Sequence, residues 1–175
     1  MTGKTSSRSQ SPLYIGELRD TPLGNLWVAV TKNGLAVVKW SASQVEFSEY
    51  LTRRFKRPIK PNPKKTTQAV NELREYLNGE RRQFSIPIDW SLMRPFQQEA
   101  LKATFAIPYG QTRSYSDLAA QIGRPRAARA VGRAEATNSI PLVIPCHRVI
   151  GKDGKLRGYG GGDGLPTKEW LLKME

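Results

Sequence analysis

The sequence predicts an α+β protein of two domains, a small amino-terminal α/β unit followed by a mainly helical unit that carries a helix-turn-helix and one cysteine. Three observations carry that expectation. Apolar runs separated by turn residues dominate the first half. Helix start and stop signals dominate from about Ser91 onward. A length of 175 residues, 38% of them hydrophobic, suits one generous domain or two small ones sharing an interface. The division expected is a tail over 1–12, an α/β domain over 13–90 and a carboxy-terminal domain over 91–175.

Met1 to Pro12 is Ser-rich and weakly basic, without the apolar stretch of a secretory signal, and reads as a flexible tail. Leu13-Tyr14-Ile15 opens a sheet. Leu26 to Val30 and Leu35 to Trp40 flank Lys32-Asn33-Gly34, a hairpin signal. Val45, Phe47, Tyr50 and Leu51 fall near helical spacing and are expected to face inward. Arg53 to Lys65, with three prolines, seven Lys or Arg and no acid, reads as a basic loop. A helix is expected over Thr66 to Asn78, with Ala69, Val70, Leu73, Tyr76 and Leu77 inward and Gly79 as its stop. Phe84 to Trp90 is an extended exit from this unit.

In the second half Pro95 suits the first turn of a helix to about Phe105, and Ile107-Pro108-Tyr109-Gly110 breaks it. Ser114 with Asp117 three residues on is a capping-box pattern for a helix through Leu118, Ala119 and Ile122, stopped by Gly123. The next helix is expected from about Arg126 to Ala134. Ala127, Ala130, Val131 and Ala134 form its narrow packing face, and Arg126, Arg129 and Arg133 line another stripe. Two short helices around a Gly-containing turn make a helix-turn-helix. The arginine stripe suits an anionic partner, although a solvated face has the same pattern.

A surplus of 28 Lys and Arg over 15 Asp and Glu gives a net charge of +13, which favours a polyanion through counterion release. One cysteine and one histidine exclude an internal disulfide and a Cys/His zinc site. No apolar run approaches membrane-spanning length, so a soluble, intracellular protein is expected.

Ile144-Pro145-Cys146-His147-Arg148-Val149 sets the only thiol beside the only imidazole. Sulfur is nucleophilic as thiolate, and a neighbouring His can take the thiol proton if a third group holds its ring. On a regular strand adjacent side chains oppose each other, so cooperation requires the backbone to leave strand geometry, and Pro145 is a plausible cause. A buried structural cysteine beside a backbone-satisfied histidine fits the same residues.

Residues 96–175 resemble the catalytic domain of the O6-alkylguanine-DNA alkyltransferases. The matching pieces occur in order: Phe96-Gln97, Ile107 to Gly110, Ser114-Tyr115, Ala127 to Gly132, Asn138, Pro145 to Val149, Gly158-Tyr159 and Lys168 to Leu172. The resemblance implies that Cys146 accepts an alkyl group from O6 of guanine in double-stranded DNA. His147 would act as base, leaning through a water on Glu175. Asn138 would brace the preceding turn, and Tyr115 would help rotate the nucleotide and donate to the leaving base. Arg129 would fill the gap left by the extruded base, with Arg126, Arg133, Ser114, Ala130 and Gly132 also facing DNA. Val149, Tyr159, Gly160 and Pro141 would belong to the base pocket, with carbonyls near Cys146 and Val149 reading the guanine amino group.

The resemblance further implies a stoichiometric reaction by a monomer, with no cofactor and no metal because the damaged base is itself the donor. Cooperative loading along DNA and action on O4-alkylthymine stay open. Three departures stand out. Ser139 replaces a common proline, which predicts a less rigid turn. Gly160 replaces a serine found in some relatives, and Gly160 to Gly164 reads as a longer loop around a roomier pocket. Glu175 is the last residue, expected to be held by docking of Trp170, Leu171 and Leu172. Two rival readings remain: a lesion-binding protein without chemistry, and a cysteine hydrolase that turns over.

Overall fold

In a computed structural model, residues 11–175 are described, so the expected tail lies almost wholly outside them. The first unit is a four-stranded sheet in the order β3-β2-β1-β4, formed by β1 (Leu13–Thr21), β2 (Gly24–Thr31), β3 (Gly34–Trp40) and β4 (Ile59–Pro61). The first three strands are antiparallel neighbours, and β4 lies parallel to β1. The hairpin forms where the turn residues stand, with Thr31 paired to Gly34. Gly34 is required twice over: its φ is +135°, and a Cβ there would lie 2.3 Å from the Pro87 carbonyl oxygen.

Helix α1 (Gln44–Phe55) is capped by Ser43, whose side chain accepts from the Glu46 amide. Phe47 and Leu51 are its buried positions, whereas Val45 is 69% exposed, against expectation. Two residues before Phe47, Val45 sits about 200° around the helix from it and so faces away from the core.

The stretch 53–65 is not a loop. Arg53 and Arg54 end α1, Ile59–Pro61 forms β4, and Pro63 starts α2 (Pro63–Leu77) beneath an Asn62 cap. Its prolines are tolerated because β4 is an edge strand and Pro63 occupies a first-turn position. The charge run masked an amphipathic start: Thr66 and Ala69 are buried.

The second unit opens with a 3-10 turn at Trp90–Leu92 and comprises α3 (Pro95–Phe105), α4 (Tyr115–Gln121), α5 (Ala128–Ala136) and α6 (Leu165–Met174). A two-residue pair, β5 (Arg113–Ser114) with β6 (Val149–Ile150), ties the start of α4 to the cysteine segment. The capping box at Ser114 and Asp117 forms in full. Helix α5 begins two residues later than expected. The Ala127 amide closes a turn onto the Arg124 carbonyl at 2.8 Å, which leaves Arg126 between the helices, off the stripe of Arg129 and Arg133.

The units share one core. Ile140, Leu142, Val143 and Ile144 join Leu26, Val28, Val38, Leu73 and Tyr76 of the first unit and Leu101 and Leu171 of the second. The exposed edge of β3 is closed by the same segment, as Val38 donates to the Ser139 carbonyl at 2.9 Å.

Candidate active site

The backbone leaves strand geometry at the cysteine. Pro145 has φ −81° and ψ 65°, and Cys146–Arg148 form a 3-10 turn whose carbonyl at Cys146 accepts from the Val149 amide. Cys146 and His147 are therefore not forced onto opposite faces. The turn before them is held by Asn138, whose Nδ2 donates to the Ile144 carbonyl at 2.9 Å while its Oδ1 accepts from the Ile140 amide at 3.0 Å. Ser139 adds a bond from Oγ to the Ala36 carbonyl at 3.3 Å. The expected looseness at Ser139 is not found: hydrogen bonds to β3 restrain the turn where a proline ring would otherwise do so. Leu142, fully buried, has φ 74°, a strained conformation for a branched residue that persists because its surroundings fix it.

His147 is fully buried, and its Nε2 lies 2.9 Å from Glu175 Oε1. A carboxylate only accepts, so Nε2 carries the proton and Nδ1 is left as the basic nitrogen. Nδ1 has no hydrogen-bond partner among the described residues. The contact to Glu175 is direct, which corrects the expectation of a bridging water on that side of the ring. Two further side chains converge on Glu175. Arg148 donates from Nε at 2.9 Å to Oε2 and from Nη2 at 2.8 Å to Oε1, and Tyr76 donates from its hydroxyl at 2.5 Å. Burial alone would raise the Glu175 pKa, but the bonds from His147, Arg148 and Tyr76 outweigh it and hold the carboxyl well below its usual range. Burial lowers His147, which keeps the resting imidazole neutral and fit to accept a proton. The chain end does not fray: Leu171 is fully buried and Gly110 donates its amide to Glu175 Oε2 at 3.2 Å.

Cys146 forms part of a cleft of about 340 Å³ bounded by Tyr115, Gly132, Glu135, Ala136, Gly158, Tyr159 and Gly160. A second cleft of about 360 Å³ shares Cys146, Glu135 and Gly160 with it and reaches Pro141. Burial pushes the thiol up to about 12, with the Glu135 charge adding to the effect and the Asn138 hydrogen bond opposing it. The resting sulfur is thus a thiol. The Tyr159 hydroxyl is buried without a partner among the described residues, and the Tyr115 phenol, raised first by burial, keeps its proton.

The expected residues divide into two groups. Cys146, Tyr115, Gly132, Tyr159, Gly160 and Pro141 line the paired clefts; Asn138 holds the turn that precedes the cysteine, and His147, the next residue along, pairs with Glu175. Ser114 is buried as the helix cap, and Arg126, Arg129 and Arg133 are exposed. Ala130 lies beside Arg133 along a separate groove with Arg54 and Arg94. Val149 departs from expectation. Its side chain is fully buried away from the clefts, and its carbonyl accepts from Lys168 Nζ at 2.6 Å. The Gly160–Gly164 loop packs closely. A Cβ on Gly161 would lie 2.5 Å from the Trp40 ring and 2.8 Å from Tyr159, so the loop is pressed against the first unit.

Four residues without an expected role also converge here: Tyr76, Arg148, Lys168 and Glu135. Tyr76 stands among the inward positions of α2, and a hydroxyl on an apolar face is the available signal, since a buried tyrosine needs a partner for its oxygen.

Comparison with known proteins agrees with this geometry. Residues 14–90 match the family model described as "6-O-methylguanine DNA methyltransferase, ribonuclease-like domain", and 95–175 match "6-O-methylguanine DNA methyltransferase, DNA binding domain". The constitutive methylated-DNA–protein-cysteine methyltransferase of Bacillus subtilis is 39% identical over 156 residues, covering 89% of this chain and 92% of that protein. The methylated-DNA–protein-cysteine methyltransferase of Mycobacterium tuberculosis is 49% identical over 115 residues, 66% of this chain and 68% of its own length. The solved structure of Mycobacterium tuberculosis OGT in complex with DNA superposes with a TM-score of 0.73 at 37% identity, covering 93% of this chain and 91% of that one. The chain belongs to the methylated-DNA–protein-cysteine methyltransferase family, the O6-alkylguanine-DNA alkyltransferases.

Proposed function

We propose that this protein repairs DNA by moving an alkyl group from O6 of guanine in a duplex onto Cys146. The observation that carries the reading is the placement of the buried thiol. It borders a cleft with Tyr115 and is backed by a His147–Glu175 pair that leaves Nδ1 free to take a proton. The thiol proton passes to His147, the sulfur bonds the alkyl carbon, and the carbon–oxygen bond breaks with its electrons going to the base. Tyr115 gives its phenol proton to the base as that charge develops and is reprotonated at the expense of the His147 imidazolium, so the proton gained by guanine is the one lost by sulfur. The thioether product has no route back to thiol, and each molecule acts once, as a monomer, without a cofactor.

A paired guanine is shielded in its stack, so the base must be extruded at a cost of a few kcal/mol. In this reading α5 enters the minor groove, Arg129 takes the place of the extruded base, and Arg126 and Arg133 meet phosphates without reading sequence. Ser114, Ala130 and Gly132 set the approach of the helix pair to the duplex. O4-alkylthymine presents its alkyl oxygen on the corresponding edge, and we extend the reading to it.

Incubation with a duplex carrying O6-methylguanine should add one methyl per protein by intact mass, and Cys146→Ser should add none. Tight binding without a mass change would mean lesion recognition without chemistry; released product with turnover would mean a hydrolase. The clefts also accommodate larger groups in this reading, so benzyl transfer is expected within about tenfold of methyl in single-turnover rates. A strong preference for methyl would remove the roomier pocket.

A further inference from the structure

Glu135 stands on the wall of both clefts that contain Cys146, yet the reaction above gives it nothing to do. It is the only acid on α5 and is 8% exposed. Oε1 accepts from Thr104 Oγ1 of α3 at 2.5 Å, while Oε2 is buried with no partner among the described residues. The nearby cation, Lys168 of α6, is committed to the carbonyls of Val149 at 2.6 Å and Arg157 at 3.3 Å. Its carboxylate also opposes ionisation of Cys146, so it hinders thiolate formation at the reacting sulfur. A half-paired carboxyl group in a water-poor pocket wall is instead a filter on what occupies that pocket.

We propose that Glu135 is a specificity-determining residue that discriminates against alkyl groups bearing a negative charge, such as carboxymethyl, in favour of neutral ones. Two anions within a few ångströms in a poorly screened site repel strongly enough to change a rate about tenfold or more. The inference rests on the alkyl-transfer reading. Burial pushes the Glu135 carboxyl up to about 7, with the Thr104 hydrogen bond and Lys168 opposing, so it carries its charge at pH 8 and has largely lost it at pH 6. The charged or titratable groups facing it are Lys168, Cys146 and Tyr115.

The test is the ratio of single-turnover rates on two duplexes, O6-carboxymethylguanine over O6-methylguanine, measured at pH 8 and pH 6. Using a ratio within one protein cancels the titration of Cys146 and His147 and any change in active fraction. Glu135→Gln retains an acceptor for Thr104 and removes the charge, so it should fold, and Glu135→Met gives an uncharged second variant. The ratio should rise at least tenfold at pH 8 in both variants. It should also rise from pH 8 to pH 6 in the wild type and stay flat in the variants. An unchanged ratio, or equal slowing of both substrates, would overturn the role of Glu135 while leaving methyl transfer intact. Failure of the wild type to take up methyl at all would overturn the underlying reading.

Discussion

Replacing Glu175 with alanine is expected to slow alkyl transfer at least a hundredfold and to lower stability by about 3–5 kcal/mol. Both effects come from one knot. Its side chain is 1% exposed and receives His147, Arg148 and Tyr76 together. Without it, the Arg148 guanidinium, which also donates to the Ile107 carbonyl at 2.6 Å, is a buried charge with no counter-ion. The imidazole loses the acceptor that fixes its tautomer, and Nδ1 is no longer reliably the basic nitrogen. Glu175→Gln keeps the volume and should cost less stability but a similar share of rate. Urea melts and single-turnover transfer measure the two effects separately, and a rate within threefold of wild type for both variants would remove the carboxylate from the mechanism. The pH dependence has a definite sign. The folded Glu175 pKa lies below its unfolded value of about 4.3. Its contribution is therefore full above that value and is lost as pH falls through it towards the folded pKa. Wild type should lose stability faster than Glu175→Gln below about pH 4.

Arg129→Ala is expected to slow repair of duplex DNA by about a hundredfold while leaving transfer from free O6-benzylguanine base close to wild type. Extrusion costs a few kcal/mol, and an arginine in the stack offsets part of it, a contribution needed only when the base starts inside a helix. Arg129 is exposed in the first turn of α5. Arg133→Ala should behave differently, weakening binding across all sequences and reducing the salt slope by about one. Equal loss on duplex and free base for Arg129→Ala would assign it to the pocket rather than to extrusion.

Much of this architecture was legible because it rests on local rules. The Lys32-Asn33-Gly34 turn, the Ser114 cap and Pro95 act within a few residues, and the structure has each where expected. The cysteine, histidine, asparagine and tyrosine of the site were found because they sit in or beside recognisable short segments. What escaped depends on distance along the chain. Tyr76 meets Glu175 across 99 residues, and nothing near Tyr76 marks it apart from an oxygen on an apolar face. Glu135 carries no local mark of its place, which Thr104, 31 residues away, and the cleft define. The basic run at 53–65 misled because charge is conspicuous, whereas the register that makes Ile59–Pro61 a strand is supplied by β1. Likewise, Gly160 to Gly164 reads in sequence only as a longer loop, and the packing of Trp40 onto Gly161 shows that it is held.

A protein that can act only once has a storage problem. Its value lies in an unspent sulfur, and every stray oxidant or soluble alkylating agent competes for it. Those side reactions need thiolate and access. With burial pushing the thiol up to about 12, thiolate is scarce in the resting protein at neutral pH. Cys146 is therefore kept dormant, and in the proposed reaction its proton is given up when a base fills the cleft beside it. The burial that weakens the nucleophile on paper is what gives a pool of waiting molecules its shelf life.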